Sequence, residues 1–151
     1  MRVAVLMSTY NGEKYLNEQI DSLLSQSGNF ELSLLVRDDG STDETINILN
    51  KYQNLGKLKW YSGKNLGPGK SFIDLLYKTH GYDYYAFSDQ DDVWMPGKIA
   101  RAIDILQKFE CAALYFCNAE YVDQDLYPLG GNTYKKYVPT DLYSAVLNPG
   151  Y

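Results

Sequence analysis

The densest chemistry in the chain is the run Asp89-Gln90-Asp91-Asp92, three carboxylates in four residues. Carboxylates this close repel one another, which raises their pKa values unless a cation sits among them. Hard divalent ions take oxygen ligands, commonly one or two carboxylates completed by water and phosphate oxygens, so the run suits Mg²⁺ or Mn²⁺. The plain alternative is a helix-capping Asp cluster ahead of Pro96. A second acidic pair, Asp38-Asp39, precedes Gly40-Ser41. It reads either as an Asx turn or as a place where the Asp38 carboxylate accepts the N3–H of a pyrimidine. In Thr9-Tyr10-Asn11 the Tyr10 ring beside the Thr9 hydroxyl is either strand-end packing or a stacking and hydrogen-bonding floor for a base.

Other candidates are weaker. Leu66-Gly67-Pro68-Gly69-Lys70-Ser71 has the setting of a phosphate-binding P-loop but not its spacing, and Pro68 removes an N–H from the cradle. Lys70 at a helix N-terminus can still attract a diphosphate, although helix initiation explains the segment equally. His80, the one histidine, reads as a helix C-terminal cap, so neither a hydrolytic triad nor a zinc site can be assembled around it. Cys111 and Cys117 fall in one apolar run that reads as a strand, where ~3.3 Å per residue holds them ~20 Å apart, and both are expected to be buried thiols.

The elements that must position these groups alternate. Val3 to Met7, Leu32 to Val36, Lys57 to Ser62, Tyr84 to Phe87 and Ala112 to Cys117 read as strands. Helices are expected between them: one with Leu16, Ile20, Leu23 and Leu24 on its apolar face, one started by a Ser41-to-Glu44 capping box, one opened by Pro68-Gly69, and one whose stripe is Ile99, Ile103 and Leu106. Such alternation predicts an α/β fold, a mainly parallel sheet with helices on both faces. In that fold every strand ends at one edge and ligands bind outside it, so the polar loops converge on one cleft. Past Ala119 the pattern loosens: Asp123 and Asp125 read as a turn, a short helix starts at Thr140, and the chain reads as the front part of something longer.

Composition sets the outer bounds. A length of 151 residues suits one domain, and 14 Lys+Arg against 19 Asp+Glu, a net charge of −5, disfavours a nucleic-acid partner. No apolar run approaches the ~20 residues of a membrane helix, and no signal-peptide cleavage site follows the first strand, so the expected location is cytoplasmic. Membrane association of a full-length protein stays open.

Three runs together, Val3 to Gly12, Val36 to Asp43 and Phe87 to Asp92, resemble the family 2 glycosyltransferases in order and spacing. The form Ser88-Asp89-Gln90-Asp91-Asp92-Val93-Trp94 is similar to that of bacterial polysaccharide rhamnosyltransferases. The resemblance implies a GT-A, Rossmann-like fold. Residues 1–151 would be its nucleotide-sugar-binding part, with the acceptor-binding part and the catalytic base beyond Tyr151. The activity it implies is inverting transfer from a UDP- or dTDP-linked sugar, rhamnose among the options, to a saccharide or lipid-linked saccharide acceptor. Thr9, Tyr10, Asn11, Asp38, Asp39, Lys70 and Asp89 would bind the nucleotide sugar, and Asp91 with Asp89 would hold Mg²⁺ or Mn²⁺. Two rival readings are a haloacid-dehalogenase-like phosphatase with Asp89 as nucleophile, which the position after the fourth strand opposes, and a non-catalytic nucleotide-binding module.

Overall fold

The computed structural model describes residues 1–133, in a first compact unit, Met1–Ile103, and a second that begins at Asp104. Strand β1 (Arg2–Thr9) is apolar on both faces: Val3, Val5 and Met7 alternate with Ala4 and Leu6, and all five are buried. A strand with two buried faces belongs inside a parallel sheet covered by helices on each side. That is the architecture. β2 (Glu31–Asp38), β3 (Lys59–Ser62) and β4 (Tyr84–Ser88) join β1 in the order β3-β2-β1-β4, every neighbour parallel.

Helices α1 (Leu16–Leu24) and α2 (Thr45–Asn54) cover one face, where Leu16, Ile20, Leu23, Leu49 and Tyr52 pack on Val3, Val5, Met7, Leu34 and Val36. The start of α4 (Lys98–Leu106) adds Ile99 and Ile103 to this layer. Helix α3 (Pro68–Lys78) covers the other face, with Leu75 against Ala4 and Leu6. The connection through α3 carries the chain from one edge of the sheet to the far side of β1, and a right-handed crossover then places α3 opposite α1 and α2.

Four expectations about local structure are corrected. Ala112 to Cys117 is not a strand: it pairs with nothing in the four-stranded sheet, and an apolar run without a ladder partner is no strand. Cys111 and Cys117 are accordingly exposed rather than buried. The second unit instead forms an antiparallel pair, β5 (Glu120–Val122) with β6 (Pro128–Asn132). Its turn is the one read at Asp123 and Asp125, where Asp123 Oδ1 accepts the N–H groups of Asp125 and Tyr127. The capping box also does not form. Helix α2 starts at Thr45, after Glu44, and the Ser41 and Glu44 groups turn to the neighbouring loop instead. Helix α3 ends at Lys78 with Thr79 as its cap, whose hydroxyl donates to the Leu75 carbonyl, so the expected capping place of His80 is taken one residue earlier. The expected helix at Thr140 lies outside the described residues. No helix among the described residues is long and apolar enough to cross a membrane.

Candidate functional site

The strand order creates a switch point between β1 and β4, because β2 and β3 build out to one side of β1 and β4 to the other. The loops leaving β1 and β3 lead to helices on opposite faces, α1 and α3, and a crevice opens between them at the carboxyl edge. A cavity of about 410 Å³ occupies it, walled by Tyr10 after β1, Asp39 after β2, Asn65 and Gly67 after β3, and Asp89 and Asp91 after β4.

Tyr10, Asp39, Asp89 and Asp91, four of the residues singled out in the sequence, therefore share one cavity. The others are near it in the fold but outside its lining. Asp38 is paired in register with Thr9 on one side and Ser62 on the other. It is 1% exposed, and its carboxylate accepts the N–H groups of Gly40 (3.1 Å) and Ser41 (3.2 Å) and the Ser62 hydroxyl (2.7 Å), which is the Asx-turn arrangement. Thr9 is equally buried, and its hydroxyl donates to Gln90 Oε1 at 2.6 Å. Lys70 is exposed in the first turn of α3 and does not line the cavity.

Asn11 stitches two loops together. Its Oδ1 accepts the Thr42 N–H and its own N–H goes to Ser41 Oγ, both at 2.9 Å. Gly12 donates to Thr45 Oγ1, Glu13 to Asp43 Oδ2, and Glu44 back to Glu13 Oε2, so the loops after β1 and β2 satisfy each other's free N–H groups. Burial works against the Asp43 charge, but the Thr45 hydroxyl and the N–H groups of Glu13 and Thr45 outweigh it and lower the pKa.

One controlling residue was not singled out in the sequence. Arg37, 2% exposed near the end of β2, pairs with Asp39 and with Asp74 of α3 (3.1 Å), and donates to Ser71 Oγ (3.1 Å) and the Lys64 carbonyl (2.9 Å). Asp39 in turn accepts the N–H groups of Leu66 (2.9 Å) and Gly67 (2.8 Å), and Gly67 has the positive φ of 78° that a side chain would resist. Burial works against both charges. For Asp39 the Leu66 N–H, the Arg37 guanidinium and the Gly67 N–H outweigh it, holding the carboxyl below its usual range. For Arg37 the carboxylates of Asp39 and Asp74 do the same and raise its pKa. The available signal was an Arg directly after the apolar run Leu34-Leu35-Val36 of a sheet strand, since such a charge needs a partner from the covering helix.

The loop after β4 is fixed from two directions. From α1 and the residues just past its end, Gln19 Nε2 donates to Ser88 Oγ, Ser22 Oγ accepts the Trp94 N–H (3.0 Å), and Gln26 accepts the Ile99 N–H (3.2 Å) while donating to the Met95 carbonyl (3.0 Å). From the β1 loop, the Gln90 amide pairs with the backbone of Tyr10. Asp89 and Asp91 are thus carried on a loop with anchored backbone. The Asp89 pKa is raised, by partial desolvation in the cavity first and then by the negative charges of Asp92 and Asp91; that of Asp92 is raised by desolvation and by Asp91, with Lys98 opposing. An under-compensated acidic wall of this kind fits a divalent cation. Among the described residues no three Asp, Glu, His or Cys side chains converge on one point, so Asp89 and Asp91 would share such an ion with water and ligand oxygens.

A parallel α/β sheet with its cavity at the β1–β4 switch is the architecture of the GT-A glycosyltransferases. TarS of Staphylococcus aureus, residues 1–349 solved with UDP-GlcNAc, aligns with a TM-score of 0.63 and 34% identity over 72% of this chain and 32% of that one. The mannosyltransferase PcManGT of Pyrobaculum calidifontis, solved with GDP-Man and Mn²⁺, aligns at 0.62 with 22% identity over 69% and 32%, a likeness of fold. The chain belongs to glycosyl transferase family 2, whose family model matches residues 4–148. The dTDP-rhamnosyl transferase RfbG of Shigella flexneri is 40% identical over 110 residues, 66% of this chain and 36% of its own length. The chain spans between 16% and 39% of the length of the curated relatives it matches.

Proposed function

We propose that the chain is the donor-binding part of a glycosyltransferase that moves a sugar from a nucleoside diphosphate to a saccharide or lipid-linked saccharide acceptor, in the cytoplasm. The observation that carries this reading is the convergence of Tyr10, Asp39, Asp89 and Asp91 from three different loops on one cavity at the switch point. A nucleoside diphosphate has the two ends such a cavity suits: a flat base to lie against Tyr10, and a polyanion to meet Asp91 and Asp89 through Mg²⁺ or Mn²⁺. The ion supplies neutralisation of the leaving diphosphate when bound.

The chain's own residues do the rest of the donor binding. Asp39, tied to Arg37, holds the β3–α3 loop in place through Leu66 and Gly67, and so shapes the wall that faces the phosphates. Asp38 and Thr9 sit one layer below and set the loops that carry Asp39 and Tyr10. In an inverting transfer the acceptor hydroxyl attacks the anomeric carbon, its proton goes to a carboxylate base, and the nucleoside diphosphate leaves from the opposite face. Stabilising that leaving group is the task of this part of the enzyme. The likeness to RfbG supports dTDP-rhamnose as the donor, and the likeness to TarS keeps UDP sugars as the comparison.

Calorimetric titration of dTDP and UDP, each with and without Mn²⁺, tests the reading. Binding is expected only with the ion, and Asp91→Ala is expected to abolish the dependence on it. Equal affinity without metal, or no binding of either nucleotide, would refute the transferase reading and leave a nucleotide-binding or purely structural module.

A further inference from the structure

Gln90 stands between two carboxylates that wall the cavity, yet its side chain reaches away from them to the opposite loop. Oε1 accepts the Tyr10 N–H at 2.8 Å, Nε2 donates to the Tyr10 carbonyl at 3.1 Å, and the Thr9 hydroxyl donates to the same Oε1 at 2.6 Å. The orientation of the amide follows from its partners, because only an oxygen can accept that N–H and only the NH₂ can donate to that carbonyl. Few side chains can make this pairing. Glu has no donor at neutral pH, and Asn is a methylene too short to span the same gap. Gly12 completes the seat: a Cβ there would come within 2.4 Å of Oε1, so a larger residue would push the amide out.

Tyr10 and Gln90 are both reachable by water, and the Tyr10 peptide could be solvated instead of paired. The pairing therefore adds little to global stability. What it fixes is a distance. Tyr10 forms one wall of the cavity, Asp89 and Asp91 the other, and the amide of Gln90 is a direct link between the two loops. A ligand that must touch both walls at once gains from having their separation set in advance.

The geometry points to Gln90 as a positioning residue for the nucleotide: it holds the Tyr10 wall in register with the acidic wall. This rests on the nucleotide-sugar reading and deepens it. Two measurements on the 151-residue protein separate the two claims. Amide exchange followed by NMR reports the contact without any ligand: in Gln90→Ala the Tyr10 amide is expected to exchange at least about tenfold faster while Met7, deep in β1, is unchanged. Calorimetry with whichever of dTDP or UDP the wild type binds reports the function: with Mn²⁺, affinity is expected to fall about tenfold, the equivalent of about 1.4 kcal/mol. Mn²⁺ alone is expected to bind as before. Gly12→Ala, which displaces the amide from the other side, should reproduce both effects, and Gln90→Met keeps the volume should Gln90→Ala fail to fold.

An unchanged Tyr10 exchange rate overturns the contact. Faster exchange with unchanged nucleotide affinity overturns the positioning role. A wild type that binds neither nucleotide overturns the nucleotide reading and with it the role, while the exchange rate still reports whether Gln90 clamps Tyr10.

Discussion

Replacing Arg37 by Leu removes a buried cation that joins the β3–α3 loop to the sheet. Asp39, 2% exposed, loses its ion pair and keeps only the N–H groups of Leu66 and Gly67. Asp74 fares better, since it is partly exposed and retains Lys78 (2.9 Å) and the Tyr61 hydroxyl (2.7 Å). Breaking a buried pair from one side costs about 3–5 kcal/mol, and with two N–H donors still on Asp39 the lower end, about 3 kcal/mol, is expected. Out of a total of about 5–15 kcal/mol this is large but leaves a folded protein to measure. Urea unfolding monitored by Trp fluorescence gives the difference. Arg37→Leu combined with Asp39→Asn should recover part of it, because the stranded charge is gone. Acid sharpens the test. The folded pKa of Asp39 is depressed, so its contribution is present above the ordinary carboxylate value of 3.8 and is lost as pH falls through the lower folded value. The gap between wild type and Arg37→Leu should therefore narrow below that pH. A loss under about 1 kcal/mol at pH 7, or a double variant no better than the single, would refute the assignment of Asp39 as the stranded charge.

Two further outcomes follow from the titrating groups. Tyr52 donates to Asp21 Oδ1 at 2.8 Å, and burial first, then the Asp21 hydrogen bond and charge, push its pKa up to about 12. Ultraviolet titration should show Tyr52 ionising late, together with Tyr61, which burial and Asp74 also raise. Tyr52→Phe should remove one of the late tyrosines and cost about 1 kcal/mol below pH 10, a difference that disappears as the pH rises through 12. Asp89 has a raised pKa without an ion, so Mn²⁺ must compete with its proton: affinity for Mn²⁺ should begin to fall at a higher pH than for a free aspartate, and calorimetry in buffers of different ionisation heat should detect proton release on binding. A pH-independent affinity down to the ordinary carboxylate range would count against Asp89 as a ligand.

The parallel sheet was legible because β1 and β2 are short apolar runs with turn residues behind them, and alternation with helices leaves one common layout. The failed strand at Ala112 to Cys117 shows the boundary of that signal. Its apolar residues are as dense as those of β1, but a strand also needs a neighbour, and neighbours are a property of the fold. The capping box failed for a related reason. Ser41 and Glu44 have the right spacing for each other, yet the Asn11 N–H takes the Ser41 hydroxyl and Glu13 takes the Glu44 N–H. The Ser41 N–H goes to Asp38, and the Glu44 carboxylate accepts from Asn47.

The acidic loop raises the harder question of how a segment without regular structure holds two carboxylates still. Leu16, Ile20 and Leu23 define the apolar face of α1, and sequence patterning takes everything beside that face as solvent-facing. Gln19 and Ser22 lie along its flank, Gln26 follows just past its C-terminal end, and all three are buried. The buried arc of α1 is wider than its apolar arc, and the extra width faces the backbone of Trp94, Met95 and Ile99. Trp94 and Met95 lie in no ladder or helix, and the Ile99 N–H in the first turn of α4 has no intrahelical partner, so these polar side chains supply the partners. The partners lie 69 to 73 residues away in the chain, which is why no local window reveals them. The placement of Asp89 and Asp91 at the cavity is thus decided in part by a helix that contributes nothing to its lining.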